Sequence, residues 1–178
     1  MNFILSQVFV IISIILLALT YLIKDNKKIL VLCIFSSLTY GMQYLFLRAF
    51  TGMIVNGVGI IRAVWFYMNN KNNKKNSIFS FITICSLFIL STIFTWDSLA
   101  SILPLFSALL FTYSIWCDNV PIYKWLAMPV SISWIIYNII VGSILGYIME
   151  GMLLIIEIIG LIIFYKKNKV NKRPELLI

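Results

Sequence analysis

Histidine is absent from this chain of 178 residues, and charged residues make up only 11% of it. Without histidine there is no imidazole to ligate a metal, to act as a general base or to relay protons. A soluble domain carries about 25% charged residues, so this chain has too few charges to cover the surface of a water-soluble fold. Hydrophobic residues reach 62%. The composition therefore predicts an all-α polytopic membrane protein, because helices satisfy their own backbone polar groups in lipid.

Apolar runs separated by short polar breaks predict seven transmembrane helices. About 20 apolar residues cross a bilayer, so seven spans use about 140 residues and leave room only for loops and one tail. The breaks at Arg48-Ala-Phe-Thr and Gly142-Ser-Ile-Leu are short, but merging either pair of runs would make a helix too long for one crossing. The first run has no cleavage site and is predicted to be an uncleaved helix. The predicted spans are Ile4–Ile23, Ile29–Leu47, Gly52–Met68, Ile78–Phe94, Leu99–Trp116, Trp125–Val141 and Gly146–Tyr165.

Cysteine is also scarce, and it carries no recognisable chemistry. Cys33, Cys85 and Cys117 lie in or at the edge of apolar segments, and their spacing fits no metal motif. They are predicted to be small buried hydrophobes. The chain has no GxxxxGK[ST] motif for ATP, and no serine or cysteine has a plausible base beside it. We therefore expect no metal site, no cofactor, no catalytic residue and no enzymatic activity.

Positive charge alternates along the chain and predicts its orientation. Cytoplasmic loops carry an excess of Lys and Arg, and with seven spans 12 basic residues fall on one side against Arg48 on the other. This places the N-terminus outside and the C-terminus in the cytoplasm. The net charge of +8 is thus explained by orientation and by anionic lipid headgroups, without nucleic acid as a partner. The 12 residues are Lys24, Lys27, Lys28, Lys71, Lys74, Lys75, Lys124, Lys166, Lys167, Lys169, Lys172 and Arg173.

The two halves of the chain resemble each other at an offset of about 94 residues. Because a single linker helix returns the chain to its starting side, both halves run in the same direction, as in parallel-repeat transporters. The chain is therefore predicted to comprise a first three-helix repeat with its cytoplasmic loop (1–76), a linker helix (77–97), a second repeat (98–166) and a basic cytoplasmic tail (167–178). The matching segments are Ser37–Tyr40 with Ser131–Trp134, Gly52–Gly57 with Gly146–Gly151, and, with one insertion, Thr20–Asn26 with Thr112–Asn119.

The second half also resembles a known bacterial family. Trp134-Ile-Ile-Tyr-Asn138 is followed by Gly142-Ser143, Gly146 and Glu150-Gly151, and this pattern resembles the signature of the inner-membrane YgjV family. Upstream, Leu103-Pro104 fits the same pattern, as does the apolar run that ends with Ile162-Ile-Phe164. The resemblance is strongest over residues 99–165 and implies a location in the bacterial cytoplasmic membrane. The resemblance does not indicate which biochemical role the protein has.

More distantly, the 3+1+3 plan is similar to the SWEET and PQ-loop transporters, in which two triple-helix bundles face each other around a central substrate path. Those sugar transporters tend to carry a proline in each of four helices. This chain has prolines within spans only at Pro104 and Pro129, in helices 5 and 6. The likeness is one of architecture, and fold analogy alone does not define function.

Three ionisable residues fall within predicted spans: Arg62, Glu150 and Glu157. Each costs roughly 2.5 to 3.5 kcal/mol at the bilayer centre when charged, so such residues usually face the protein interior and pair. Arg62 and Glu157 lie at similar predicted depths, about 15–17 Å below the outer surface, and we expect them to approach each other in at least one state. The pair would be either a substrate or gating ion pair or a constitutive salt bridge. Two stripes are predicted to face inward: Gly52, Asn56, Gly59 and Ala63, and Gly146, Glu150, Leu153, Glu157, Gly160 and Phe164.

An outward-facing polar pocket is the second candidate feature. Asn56 and Glu150 occupy equivalent positions in the two repeats, about one turn below the outer surface. Aromatic faces beside amide groups suit a small polar or ring-shaped solute; alternatively these residues form only interhelical hydrogen bonds, worth about 0.6 kcal/mol each in membranes. The other predicted pocket residues are Tyr40, Gln43, Trp134 and Asn138.

The sequence thus favours a small-solute transporter or facilitator with alternating access between two bundles. The alternative is a non-transporting membrane component, such as a scaffold or a sensor or receptor subunit. The expected partners are the lipid bilayer and a small polar solute, and a homo-oligomer is compatible with the sequence. A continuous polar path between the halves would favour transport, whereas a dry, leucine-filled interface would favour a scaffold.

Overall fold

The computed structural model describes residues 2–23, 26–72, 74–117 and 119–171. These residues form seven α-helices and no strand, and a short 3-10 turn at Leu99–Ser101 leads into α5. The seven helices predicted from the apolar runs are therefore confirmed as helices. Their bounds are α1 Asn2–Leu22, α2 Asn26–Phe46, α3 Phe50–Lys71, α4 Ile78–Phe94, α5 Ile102–Trp116, α6 Val120–Ile140 and α7 Ile144–Asn171.

Local capping explains where two of these helices begin. The Ser77 hydroxyl accepts a hydrogen bond from the Ser80 N–H at 3.2 Å, so α4 begins at the predicted Ile78. By contrast, α6 begins five residues before the predicted Trp125, because the Asn119 side chain accepts from the Ile122 N–H and Pro121 occupies the first turn. Proline lacks an N–H that the first turn does not need, so it marks a helix start here and not a break.

The distribution of polar and apolar side chains is inverted relative to a soluble protein. Large hydrophobic side chains such as Ile4, Phe79 and Phe94 are 68%, 71% and 86% exposed, whereas Gln43 and Asn138 are completely buried. An apolar outer surface that extends over all the helices, combined with polar side chains packed inside, is expected of a protein whose surface faces lipid. The fold is therefore that of an integral membrane protein.

Five of the helices are long and apolar enough to cross a membrane on their own composition. α4 is apolar but has only 17 residues. α6 has 21 residues, and its first turns carry Lys124 together with Pro121. The five spans are Phe3–Thr20, Lys27–Phe46, Phe50–Lys71, Leu99–Trp116 and Ile144–Lys166.

Consecutive helices run up and down. The N-terminal ends of α1 and α7 meet where the Gln7 side chain accepts from the Leu145 N–H at 2.8 Å. At the opposite end, the Trp116 indole donates to the Asn76 carbonyl at 3.0 Å, joining the end of α5 to the start of α4. Around the molecule α1 packs on α2 and α7, α3 on α2 and α5, and α6 on α5 and α7, while α4 packs on α3 and α5. Six helices therefore form a closed ring, in the order α1, α2, α3, α5, α6, α7.

The two short turns that separate α2 from α3 and α6 from α7 have the same backbone geometry. Arg48 and Gly142, 94 residues apart, both have a positive φ, of 58° and 75°. After them, the Ala49 N–H donates to the Tyr44 carbonyl and the Ser143 N–H donates to the Asn138 carbonyl, both at 2.9 Å. In each turn, the residue after the left-handed one donates its N–H to the carbonyl five residues earlier, in the last turn of the helix. This hydrogen bond defines a Schellman cap. Each cap ends its helix and lets the next one return antiparallel.

The predicted inward stripes are confirmed. On α3, Gly52, Asn56, Gly59 and Ala63 are all buried. On α7, the first four members of the stripe are buried, and Gly160 and Phe164 are half-buried. α7 continues in helical form to Asn171, past the predicted end at Tyr165. Lys24, Lys172 and Arg173, which belong to the predicted charge asymmetry, lie outside the described residues.

Candidate functional site

A cavity of about 80 Å³ lies at the centre of the helices, with lining side chains from all seven. A water molecule takes up about 30 Å³ in the liquid, so the cavity has room for about two or three of them. Polar and charged side chains share the lining with apolar ones, and Leu17 is the one leucine among the described lining residues, so this part of the interface between the two halves is not filled with leucine. Six of the eight predicted site residues line it: Tyr40, Asn56, Arg62, Trp134, Glu150 and Glu157.

Glu150 lies on α7 and is hydrogen-bonded to a side chain of α2. Its side chain is 2% exposed, and its Oε1 accepts a hydrogen bond from the Tyr40 hydroxyl at 2.5 Å. The Tyr40 ring stacks on the Trp134 ring with centroids 6.3 Å apart and an interplanar angle of 15°. The carboxyl group is thus fixed beside an aromatic surface that also borders the cavity.

Arg62 is held on another side of the cavity. Its guanidinium is buried, and Nη1 donates to the Thr112 hydroxyl at 3.1 Å. The guanidinium carbon lies 4.6 Å from the centre of the Phe111 ring and 5.6 Å from that of Phe88. The face of an aromatic ring attracts a cation, so these two rings stabilise the charge in a largely apolar setting. Nε of Arg62 has no hydrogen-bond partner.

Glu157 lies two turns further along α7 than Glu150 and is also buried. Its Oε1 accepts from the Ser131 hydroxyl at 2.9 Å. Arg62 and Glu157 line one cavity, but the hydrogen bonds described for them reach Thr112 and Ser131. The approach of Arg62 to Glu157 in some state of the protein stays a prediction.

Gln43 and Asn138, the other two predicted residues, do not line the cavity. They form a buried cluster next to the turns that end α2 and α6. The Gln43 amide donates to the Ser143 hydroxyl at 2.8 Å and to Asn138 Oδ1 at 3.4 Å. The Tyr44 hydroxyl also donates to Asn138 Oδ1, at 3.1 Å. This cluster joins the two halves of the chain on the side where α1, α3, α5 and α7 begin.

Asn56 faces the cavity but does not contact Glu150 through a hydrogen bond in the structure. Its amide donates to the carbonyl of Gly52, one turn earlier on α3, at 2.9 Å. An asparagine inside a helix commonly bonds its own backbone in this way. The carbonyl oxygen of the side chain stays available for a further donor.

Sequence reasoning missed several hydroxyls that line the cavity. Ser36, Ser37, Ser107 and Ser131 all border it. Ser37 and Ser131 are the first residues of two matching Ser-x-x-aromatic segments 94 residues apart, so this match was a signal for them. Ser107 carried no such signal, because an isolated serine in an apolar helix usually bonds its own backbone.

The helices form a closed ring with an apolar outer surface, and charged side chains are buried around a central cavity. The protein is therefore a helical integral membrane protein with a polar interior. The chain belongs to the Imp-YgjV family of bacterial inner membrane proteins, whose family model matches residues 4–168. No curated protein and no solved structure shows significant similarity to it.

Proposed function

We propose that the protein carries a small polar solute across the bacterial inner membrane, by alternating access between two three-helix bundles. The observation behind this proposal is the central cavity, which holds three buried ionisable side chains contributed by α3 and α7. Burying charges in a membrane protein is costly, and they are rarely retained in the interior without a role. A cavity between two halves is where such a carrier binds its solute.

The two bundles would be α1–α3 and α5–α7, linked by α4 in a 3+1+3 arrangement. Two kinds of contact support a two-fold axis between them. A two-fold rotation that exchanges the halves would place α5 where α1 lies and α3 where α7 lies. It therefore requires that α1 packs on α7 and that α5 packs on α3, and both contacts are present. Residues 94 positions apart also meet each other: Tyr40 stacks on Trp134, and Tyr44 bonds Asn138. Side chains that touch their own repeat equivalents lie close to such an axis.

The lining of the cavity follows the same relation. Several of its residues occur in pairs separated by 94 positions, one from each half. A solute at the axis would therefore meet similar surfaces from both bundles, as alternating access requires. The pairs are Cys33 with Ala127, Ser36 with Val130, Ser37 with Ser131, Tyr40 with Trp134, and Asn56 with Glu150.

In the bilayer the chain would cross seven times, with the N-terminus outside and the C-terminus in the cytoplasm. The up-and-down order of the helices supports this orientation. The lysines at the starts of α2 and α6, after α3 and at the end of α7 fall at one end of the ring, whereas Arg48 falls at the other. Such an asymmetry marks the cytoplasmic side. The Gln43–Asn138 cluster would then close the cavity toward the outside.

A binding screen followed by a flux assay tests the proposal. The purified protein is heated in the presence of sugars, amino acids, vitamins and nucleosides. A solute at 100 times its dissociation constant should stabilise the protein by about 2.7 kcal/mol, and the solutes that do so are then measured for uptake into proteoliposomes.

Two variants sharpen the flux measurement. Ala127 is 3% exposed and lines the cavity, so Ala127→Leu should fill it and reduce uptake strongly. Ile155 is 58% exposed on the outer face of α7, and Ile155→Leu should leave uptake unchanged. Binding without uptake in wild-type protein would point instead to a sensor or receptor. Neither binding nor uptake of any solute would favour a scaffold.

A further inference from the structure

The arrangement of charge around the cavity also indicates what class of solute it takes. At one position the buried Arg62 presents a guanidinium whose Nε has no hydrogen-bond partner. The rings of Phe88 and Phe111 stabilise its charge, but they supply no acceptor. A guanidinium donates through five N–H groups in a planar fork that matches a carboxylate. Arg62 is thus equipped to bind an anionic group that enters the cavity.

At another position the cavity presents the opposite character. Glu150 is a buried carboxyl group, fixed by the Tyr40 hydroxyl and flanked by the stacked rings of Tyr40 and Trp134. Carboxylate oxygens and aromatic faces together form the usual environment of a bound ammonium group. Glu157 adds a second carboxyl group to the same lining.

We propose that the solute is a small zwitterion of the amino-acid type, with its carboxylate on Arg62 and its ammonium between Glu150 and the Tyr40 and Trp134 rings. This inference rests on the proposed transport function and narrows it. A simple anion would supply no ammonium for Glu150, a simple cation would supply no carboxylate for Arg62, and a neutral sugar would supply neither.

The size of the cavity limits the size of the zwitterion. A volume of about 80 Å³ is small, since a cavity that holds benzene has about 150 Å³. Glycine, with five non-hydrogen atoms, and alanine, with six, are the smallest amino acids and therefore the best candidates. A large side chain such as that of leucine exceeds this space.

Calorimetric titration of the purified wild-type protein tests the charge requirement without any variant. The probes are alanine, propionate, ethylamine and glucose, since propionate and ethylamine are alanine without its amino group or its carboxylate. Alanine should bind at least tenfold more tightly than any of the other three. If alanine fails to bind, or if propionate, ethylamine or glucose binds equally well, the zwitterion is wrong. Uptake of another solute would still uphold transport, whereas failure of every solute in the screen would overturn transport itself.

Variants then test which residue binds the carboxylate of alanine and which binds its ammonium. Because a hydrogen bond to a charged group contributes about 1.5–3 kcal/mol, Arg62→Gln should weaken alanine binding roughly ten- to hundredfold. Glu150→Gln should weaken it by a similar factor. Arg48→Gln is the matched control, because Arg48 lies in the exposed turn after α2, away from the cavity, and should leave the affinity unchanged. If folded Arg62→Gln protein, verified by its unaltered elution and melting profile, binds alanine like wild type, the assignment of Arg62 is refuted.

Discussion

Gly52 and Gly57 open and close the same repeated motif on α3, yet alanine should have opposite effects at these two positions. A Cβ atom at Gly52 would lie 2.9 Å from ring atoms of both Tyr44 and Tyr137. These rings are 0% and 1% exposed and are held by hydrogen bonds, so they cannot easily move aside. A Cβ atom at Gly57 would meet no atom within 4 Å.

The magnitude follows from two terms. Replacing glycine with alanine inside a helix gains up to about 1 kcal/mol from helix propensity, and both variants share this gain. Overpacking a well-packed core costs typically about 1–3 kcal/mol, and only Gly52→Ala incurs it. The difference between the two variants should therefore be about 1–3 kcal/mol, with Gly57→Ala equal to or more stable than wild type.

The second half of the chain provides an independent test. Gly146 and Gly151 lie 94 residues after these two glycines, at the equivalent positions of the proposed repeat. A Cβ atom at Gly146 would lie 2.7 Å from Asn138 Oδ1, whereas at Gly151 nothing lies within 4 Å. Gly146→Ala should therefore destabilise and Gly151→Ala should not.

The free energy of unfolding in detergent, measured by denaturant titration for the four variants and wild type, checks both halves. Circular dichroism at a reference condition verifies that each variant is helical before unfolding. Equal stability of Gly52→Ala and Gly57→Ala would refute the close approach of α3 to the two tyrosines.

Three further predictions concern the ends, the turns and the site. Reporter fusions at the two termini should give an outside N-terminus and a cytoplasmic C-terminus; both ends on one side would exclude seven crossings. Arg48→Gly should raise the free energy of unfolding by about 1 kcal/mol, because a left-handed backbone costs a residue with a side chain roughly 1–2 kcal/mol, and Gly142→Ala should lower it by a similar amount; unchanged values would mean that these turns relax. In a double-mutant cycle, Tyr40→Phe and Glu150→Leu, which remove the donor and the acceptor, should show a coupling energy of about 0.6–1.7 kcal/mol, and strictly additive effects would contradict their hydrogen bond.

The sequence by itself determined the class of protein and the helices. Apolar runs of the length of a bilayer place seven helices within a few residues, because both the hydrophobic requirement and the helical period are local properties. The inward faces of α3 and α7 were also readable, since a polar or small residue every three or four positions marks the side that avoids lipid. The start of α6 was missed because the cap at Asn119 and the proline after it read as a break.

Only the tertiary structure decided which polar residues share a site. Asn138 and Trp134 lie one turn apart on α6, yet Trp134 lines the cavity and Asn138 bonds Gln43 and Tyr44 in a separate cluster. Similarly, Arg62 reaches Thr112 on α5, a partner that no sequence pattern near Arg62 indicates. The physical reason is that hydropathy indicates which segments lie in the bilayer. The hydrogen-bond partner of a side chain depends instead on the rotation and packing of a neighbouring helix, which is tens of residues away in the sequence.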